Sequence, residues 1–114
     1  MKADKSLLNG SATLLVLSLL SAGDKYGYQM IAELEKRSDH TFSMKEGTLY
    51  PILHTLENSG AVESYEKEAP TGRKRKYYHI TKKGLRLLGE KKEEWTAFSQ
   101  AVNAVLAGSA PALA

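Results

Sequence analysis

The apolar pattern of this chain changes from a helical period to a strand period at Gly60. Before it, apolar residues recur every three or four positions. After it, Val62–Lys67 and Lys76–Thr81 alternate at every second position. Helices bury positions three and four apart, and strands bury every other one. A chain patterned this way places helices first and a hairpin after them. Ala69-Pro70-Thr71-Gly72-Arg73 lies between the two alternating runs and has the composition of a turn.

Three helices are expected ahead of the hairpin. The first spans Ser6–Ser21, with Leu8, Ala12, Leu15 and Leu19 on one stripe. Leu7, Leu14, Val16, Leu17 and Leu20 carry the apolar surface most of the way round. A helix apolar on most sides needs burial on most sides, and in so short a chain part of that surface is expected to meet another subunit. The second helix spans Gly27–Arg37, with Tyr28, Ile31, Ala32 and Leu34 inward. The third begins at Met44 or Glu46 and runs to Ser59. Ser43 and Glu46 have the spacing of a capping box, Leu49, Ile52, Leu53 and Leu56 face inward, and Gly60 serves as the C-terminal cap. Pro51 removes one backbone donor near the start, so a local adjustment is expected rather than a break.

Beyond the hairpin, Thr81 is a plausible cap for a last helix reaching about Leu106. Leu88, Trp95, Phe98, Val102 and Val105 line one stripe of it. A long amphipathic helix that outruns its core usually packs on a partner. The fold class expected is therefore mainly α with a small β-hairpin: a winged helix-turn-helix over residues 1–81, a dimerisation helix over 82–108 and a disordered tail over 109–114.

With 114 residues the chain suits one modest core. It has no cysteine, so neither disulfides nor thiolate metal sites are available. The apolar run Ala12–Leu20 is too short to span a bilayer and no signal peptide is visible, which reads as a cytoplasmic protein with no membrane partner. His40, His54 and His79 fall in three separate elements, without metal-ligand spacing or a phosphate-binding glycine loop. No catalytic residues, no metal and no cofactor are expected. The net charge is only +3, but nine of the 16 basic residues lie between Arg73 and Lys92, where Glu90 alone opposes them. Such a concentration suits either a solvated face or a polyanionic partner.

The element order favours the polyanion. A helix-turn-helix inserts its second helix into the major groove, N-terminal residues first. Lys45, Glu46, Thr48, Tyr50 and Pro51 are the early exposed positions of that helix, with His54 and Thr55 a turn later. Thr48 and Tyr50 can donate to phosphates, and Thr48 or Pro51 can touch a thymine methyl. Glu46 either accepts from a cytosine amine or caps the helix. At the hairpin, Gly72 permits a tight turn, and Arg73, Lys74 and Arg75 can neutralise phosphates or enter a minor groove.

The run Gly47-Thr48-Leu49-Tyr50-Pro51-Ile52-Leu53-His54-Thr55-Leu56-Glu57 resembles the recognition-helix signature of the PadR family of bacterial transcription regulators. Tyr26-Gly27-Tyr28, Gly60-Ala61-Val62-Glu63, Gly72-Arg73, Tyr77-Tyr78, Ile80-Thr81 and Gly84 are similar to that family's other motifs. The resemblance covers Leu14–Trp95. It implies a homodimeric repressor of the short subfamily, paired through the first and last helices, binding an inverted-repeat double-stranded operator and responding to a small planar aromatic effector. On that analogy Leu8, Leu15, Leu19, Leu88, Trp95, Phe98 and Val102 form the dimer contact, and Trp95, Phe98, Leu8 and Leu15 surround the effector. Trp95 alternatively does no more than anchor the dimer. Lys45 and Thr55 depart from the family pattern: the first adds a phosphate contact, the second removes one.

A winged helix is also used as a protein-docking or RNA-binding module without operator specificity. An RNA platform needs aromatics exposed on the sheet, and Tyr77 and Tyr78 point to opposite faces, so only one of them can serve.

Overall fold

The computed structural model describes residues 2–108. Its elements are α1 (Lys5–Ser21), β1 (Lys25–Tyr26), α2 (Gly27–Arg37), α3 (Glu46–Asn58), β2 (Val62–Glu68), β3 (Lys74–Ile80) and α4 (Lys82–Gly108). This is the winged helix-turn-helix that the change of period implies, with α2 and α3 as the helix pair and β2–β3 as the wing. One element is additional. β1 pairs antiparallel with the free edge of β3, giving a sheet of order β1-β3-β2. Two residues are too few to show alternation, so β1 is invisible in the sequence. The expected tail over 109–114 lies outside the described residues.

α1 is the post around which the core is built. The Asp4 carboxylate caps it by accepting from the Ser6 amide at 3.1 Å. Leu8, Ala12, Val16, Leu17, Leu19 and Leu20 are buried against Met30 and Leu34 of α2, Leu49, Leu53 and Leu56 of α3, Val62, Tyr78 and Ile80 of the sheet, and Leu88 of α4. The apolar surplus of α1 is thus absorbed almost wholly by its own chain. The exception is Leu7, which stays 66% exposed.

Two expectations about the helices are corrected. In α2 the inward residues are Gly27, Met30 and Leu34, while Tyr28 and Ala32 face solvent. Gly27 sits beneath the Tyr50 ring, and burial of Met30 and Leu34 in the core sets the rotation of α2. The Tyr26 amide donates to Gln29 Oε1 at 3.1 Å, holding the helix start in place. In α3, Ser43 does not cap. Lys45 occupies the cap position with extended backbone and no side-chain hydrogen bond. Met44 is buried in the core with Leu49, five residues on, the placement of a hydrophobic staple. Burying Met44 keeps the chain extended through Lys45, so the helix starts at Glu46. Pro51 lies inside a continuous α3, as expected.

The junction of α3, the wing and α4 is tightly bonded. Gly60, at φ +82°, closes α3. Its amide donates to Glu57 O at 3.1 Å, and the Ala61 amide donates to Leu56 O at 2.9 Å, the Schellman arrangement. Thr81 then caps α4, as its position suggested. Its hydroxyl accepts from the Gly84 amide at 3.1 Å and directs its own proton between the carbonyls of Gly60 (2.7 Å) and Ala61 (3.0 Å). Gly84 packs directly on this corner: a Cβ there would overlap the Ala61 carbonyl oxygen and lie 2.6 Å from Ile80 Cγ1. Gly84→Ala is therefore expected to destabilise by about 1–3 kcal/mol, the cost of overpacking against rigid backbone. A urea titration reads this as a lower midpoint with an unchanged slope; a midpoint equal to the parent's would show that the corner yields.

Candidate nucleic-acid interface

α3 turns Leu49, Leu53 and Leu56 into the core, which leaves Glu46, Gly47, Tyr50, Pro51, His54 and Thr55 on the opposite, exposed stripe. Lys45 is exposed immediately before the helix, and Thr48 is half-buried in its first turn. Thr55 Oγ1 donates back to the Pro51 carbonyl at 3.0 Å, which occupies the hydroxyl within the helix. The Tyr50 ring extends from α3 across Gly27, the first residue of α2. Its hydroxyl is thereby set against the first residue of α2, at the positive end of that helix, a position favourable to a phosphate. Tyr28, 68% exposed, stands at the same helix start. Sequence reasoning placed Tyr28 inward and so missed it; the burial of Met30 and Leu34 that turns it outward is a tertiary effect.

The wing tip is the five-residue loop Ala69–Arg73. It is closed by the Ala69 amide donating to Arg73 O (2.7 Å) and the Gly72 amide donating to Ala69 O (2.8 Å). Gly72 adopts φ +85°, which a side chain disfavours. The three adjoining bases have different surroundings. Arg73 is exposed at the tip. Lys74 lies across from Glu68 in the strand register, as Lys76 does from Glu66. Arg75 is drawn onto the outer sheet face, its guanidinium carbon 4.5 Å from the centre of the Tyr26 ring. Folding thus sets Glu66 and Glu68 opposite Lys76 and Lys74, an opposition that the linear run hides, while Lys67 stands across from Arg75.

That outer face carries a row of tyrosines. Tyr26, Tyr77 and Tyr65 stand side by side across β1, β3 and β2, with Tyr77 edge-on to Tyr26 (5.4 Å) and stacked on Tyr65 (5.7 Å). Tyr78 points inward and is buried, so Tyr77 and Tyr78 do divide between the faces. Below the row, the Asp24 carboxylate accepts from the Tyr65 hydroxyl at 2.7 Å and contacts His79 Nδ1 at 2.8 Å. A carboxylate only accepts, which makes Nδ1 the protonated nitrogen of that ring. Burial pushes the Asp24 carboxyl up, but the bonds from Tyr65 and His79 and the charges of His79 and Lys25 outweigh it and hold it below its ordinary value. The same bond raises the Tyr65 hydroxyl. On the inner face Ser64 donates to Glu57 of α3, and Lys76 Nζ lies 3.9 Å from the other oxygen of that carboxylate.

A second surface lies between α1 and α4. Ser6, Leu7, Gly10, Ser11, Leu14, Trp95 and Phe98 line an open apolar groove of about 510 Å³. Trp95 and Phe98 are 49% and 61% exposed, and Val102, Val105 and Leu106 continue the apolar face outward along α4. Three of the expected dimer residues are corrected: Leu8, Leu19 and Leu88 are buried in the protomer's own core and have no surface to offer. Leu15 is half-buried against that core. Of the four residues expected round an effector, Trp95 and Phe98 line the groove, whereas Leu7 and Leu14 stand where Leu8 and Leu15 were expected. On so uniformly apolar a helix, adjacent stripes have equal claim to the interior, and the pattern alone does not choose between them.

Elsewhere, His40 Nδ1 contacts Glu35 Oε1 at 3.0 Å and His54 is exposed. Among the described residues no three potential ligands gather where a metal ion would sit, and no helix is long and apolar enough to cross a membrane.

A three-helix core, an exposed second helix of the pair and a hairpin wing define a winged helix-turn-helix of the DNA-binding class. Residues 16–90 match the model of the transcriptional regulator PadR-like family, and the chain belongs to that family. It is accordingly a transcriptional regulator of the DNA-binding kind. It is similar to a transcriptional regulator of Clostridium thermocellum, at 33% identity and a TM-score of 0.81, over 88% of this chain and 97% of that one. It is also similar to a PadR-like transcriptional regulator of Bacillus cereus strain ATCC 14579, at 37% identity and a TM-score of 0.76, over 90% and 97% of the two chains. An uncharacterized protein of Lysinibacillus sphaericus is 32% identical over 90% of this chain and 94% of its own length.

The Gly27–Tyr50 approach can be tested directly. A Cβ on Gly27 would overlap the Tyr50 hydroxyl and lie 2.8 Å from its ring Cζ. Because the obstacle is the far end of a side chain, Gly27→Ala is expected to swing the ring away and leave the fold intact. DNA affinity should fall as far as in Tyr50→Ala, by about 1 kcal/mol for one hydrogen bond, with a near-parental melting temperature. Parental affinity in Gly27→Ala would show that Tyr50 is not held for a contact.

Proposed function

We propose that this chain is a homodimeric cytoplasmic repressor that binds an inverted-repeat operator, and that a small planar aromatic molecule releases it. The observation that carries the reading is the outer half of α4. From Lys92 onward that helix has almost no cover from its own chain, yet Trp95, Phe98, Val102, Val105 and Leu106 give it an apolar face. Such a face on a free helix is unfavourable in water. A second copy, with its α1 and α4 packed against the first, would cover it. Two-fold pairing then presents two copies of α3 to DNA, matching an operator of two inverted half-sites.

In this arrangement residues 1–81 form the DNA-binding unit and residues 82–108 the dimerisation helix. Thr48, Pro51 and His54 face base edges in the major groove, while Lys45, Tyr50 and Tyr28 contact phosphates. Gly72 lets the wing approach closely, and Arg73 enters the flanking minor groove with Lys74 beside it. Arg75 serves mainly to brace the wing on Tyr26. Leu7, Leu14, Trp95, Phe98 and Val102 make the dimer contact. A flat aromatic fits the Trp95–Phe98 groove, whose volume falls in the range of small-molecule sites. The tyrosine row gives an RNA-binding reading some support, but Tyr65 and Tyr77 already stack on each other, leaving little ring face for bases.

Fluorescence anisotropy over a salt series, on the DNA upstream of the chain's own gene and on a scrambled duplex, tests the operator reading. Tight binding to the upstream DNA alone is expected. Arg73→Ala should weaken it and reduce the salt slope by about one. Equal binding to both duplexes, vanishing at physiological salt, would leave only a charged surface. Sedimentation is expected to give a dimer at micromolar concentration that Trp95→Glu converts to monomer; a monomeric parent would refute the pairing.

A further inference from the structure

The pitch of the wing decides whether Arg73 reaches a groove while α3 occupies its own. On the outer side, backbone pairing constrains that pitch weakly, because β1 supplies only Lys25 and Tyr26. Asp24, one residue earlier, adds a hold of another kind. It stands on an independently fixed corner: the Lys25 ammonium donates to the carbonyls of Leu19 (3.0 Å) and Gly23 (3.2 Å), tying off the end of α1. From that corner the Asp24 carboxylate takes the Tyr65 hydroxyl of β2 and His79 of β3. Its two partners lie 41 and 55 positions away in sequence, so one side chain joins both wing strands to the helix-turn-helix. Glu57 makes the complementary hold from α3 on the inner face, through Ser64 and Lys76.

We propose that Asp24 is a positioning residue for DNA binding: it clasps both strands of the wing to the α1–β1 corner and so sets the angle at which the tip meets DNA. The proposal rests on the operator-binding reading above. Asp24 itself touches no DNA; it acts through Tyr65 and His79. Hydrogen bonds to an ionised acceptor are among the stronger ones available at a surface, and the carboxyl is held in its ionised form. The clasp is directional, which the stacking of the neighbouring tyrosines is not.

The test uses the full chain and two duplexes, one that extends under the wing and one that stops at the α3 half-sites. Asp24→Asn and Tyr65→Phe should each lose about three- to tenfold on the long duplex, the worth of one hydrogen bond, and nothing on the short one. The double variant should lose less than the sum of the two single losses, because both changes act on the same contact. Amide exchange at the β1–β3 pairing should quicken in Asp24→Asn. Should Asp24→Asn fail to fold, Tyr65→Phe and His79→Phe, each removing one donor, carry the same comparison. Unchanged affinity for the long duplex, or an equal loss on both, would overturn the proposal. A parent that does not distinguish upstream from scrambled DNA would refute the operator reading instead. Exchange then decides the clasp alone: quickened exchange retains it and unchanged exchange overturns it.

Discussion

Thr81 makes the bond on which the arrangement of this molecule depends. One hydroxyl and one amide connect the start of α4 to the Gly60–Ala61 turn, where α3 ends and the wing begins. Without a side chain on Gly84, α4 settles directly on that turn. The recognition helix, the wing and the long C-terminal helix therefore radiate from a single corner. Moving any one of them means breaking several of these hydrogen bonds at once.

Most of the architecture was legible in the sequence because period and capping chemistry agree there. The change of period at Gly60, the turn residues at 69–73 and the threonine before Lys82 each have a local physical meaning, and each is met in the fold. The misreadings share one cause, which is information held only in tertiary contacts. Ser43 lost its capping role because Met44 had a core to enter. Tyr28 turned outward because Met30 and Leu34 took the core. The stripe of Leu8, Leu15 and Leu19 was placed on the surface because α1 is apolar on nearly every side, and the choice of interior face belongs to the elements packed round it.

Charge was the least faithful part of the linear reading. The basic run after Gly72 looked almost unopposed, but strand pairing sets Glu66 and Glu68 across from Lys76 and Lys74. Arg75 is occupied by an aromatic ring. What remains is sparser and better directed: an arginine at the tip of a closed loop, and a tyrosine held over the opening of a helix. The bonds that Asp24 and Glu57 make to the wing were not legible in the sequence: Asp24 meets partners 41 and 55 positions away, and Glu57 meets Ser64 and Lys76 only once the hairpin folds back on α3.

The length of α4 has a mechanical meaning. Its 27 residues span about 40 Å at the rise of an α-helix, and its base is welded to the recognition helix. It is a lever whose short end is the DNA-reading unit. In the proposed dimer the crossing beside Trp95 lies about 20 Å from that base, so a rotation of about 10° there displaces the base by about 3.5 Å, roughly one base-pair step of DNA. A ligand wedged beside Trp95 would need to open that crossing only slightly to carry the two reading heads out of register with their half-sites.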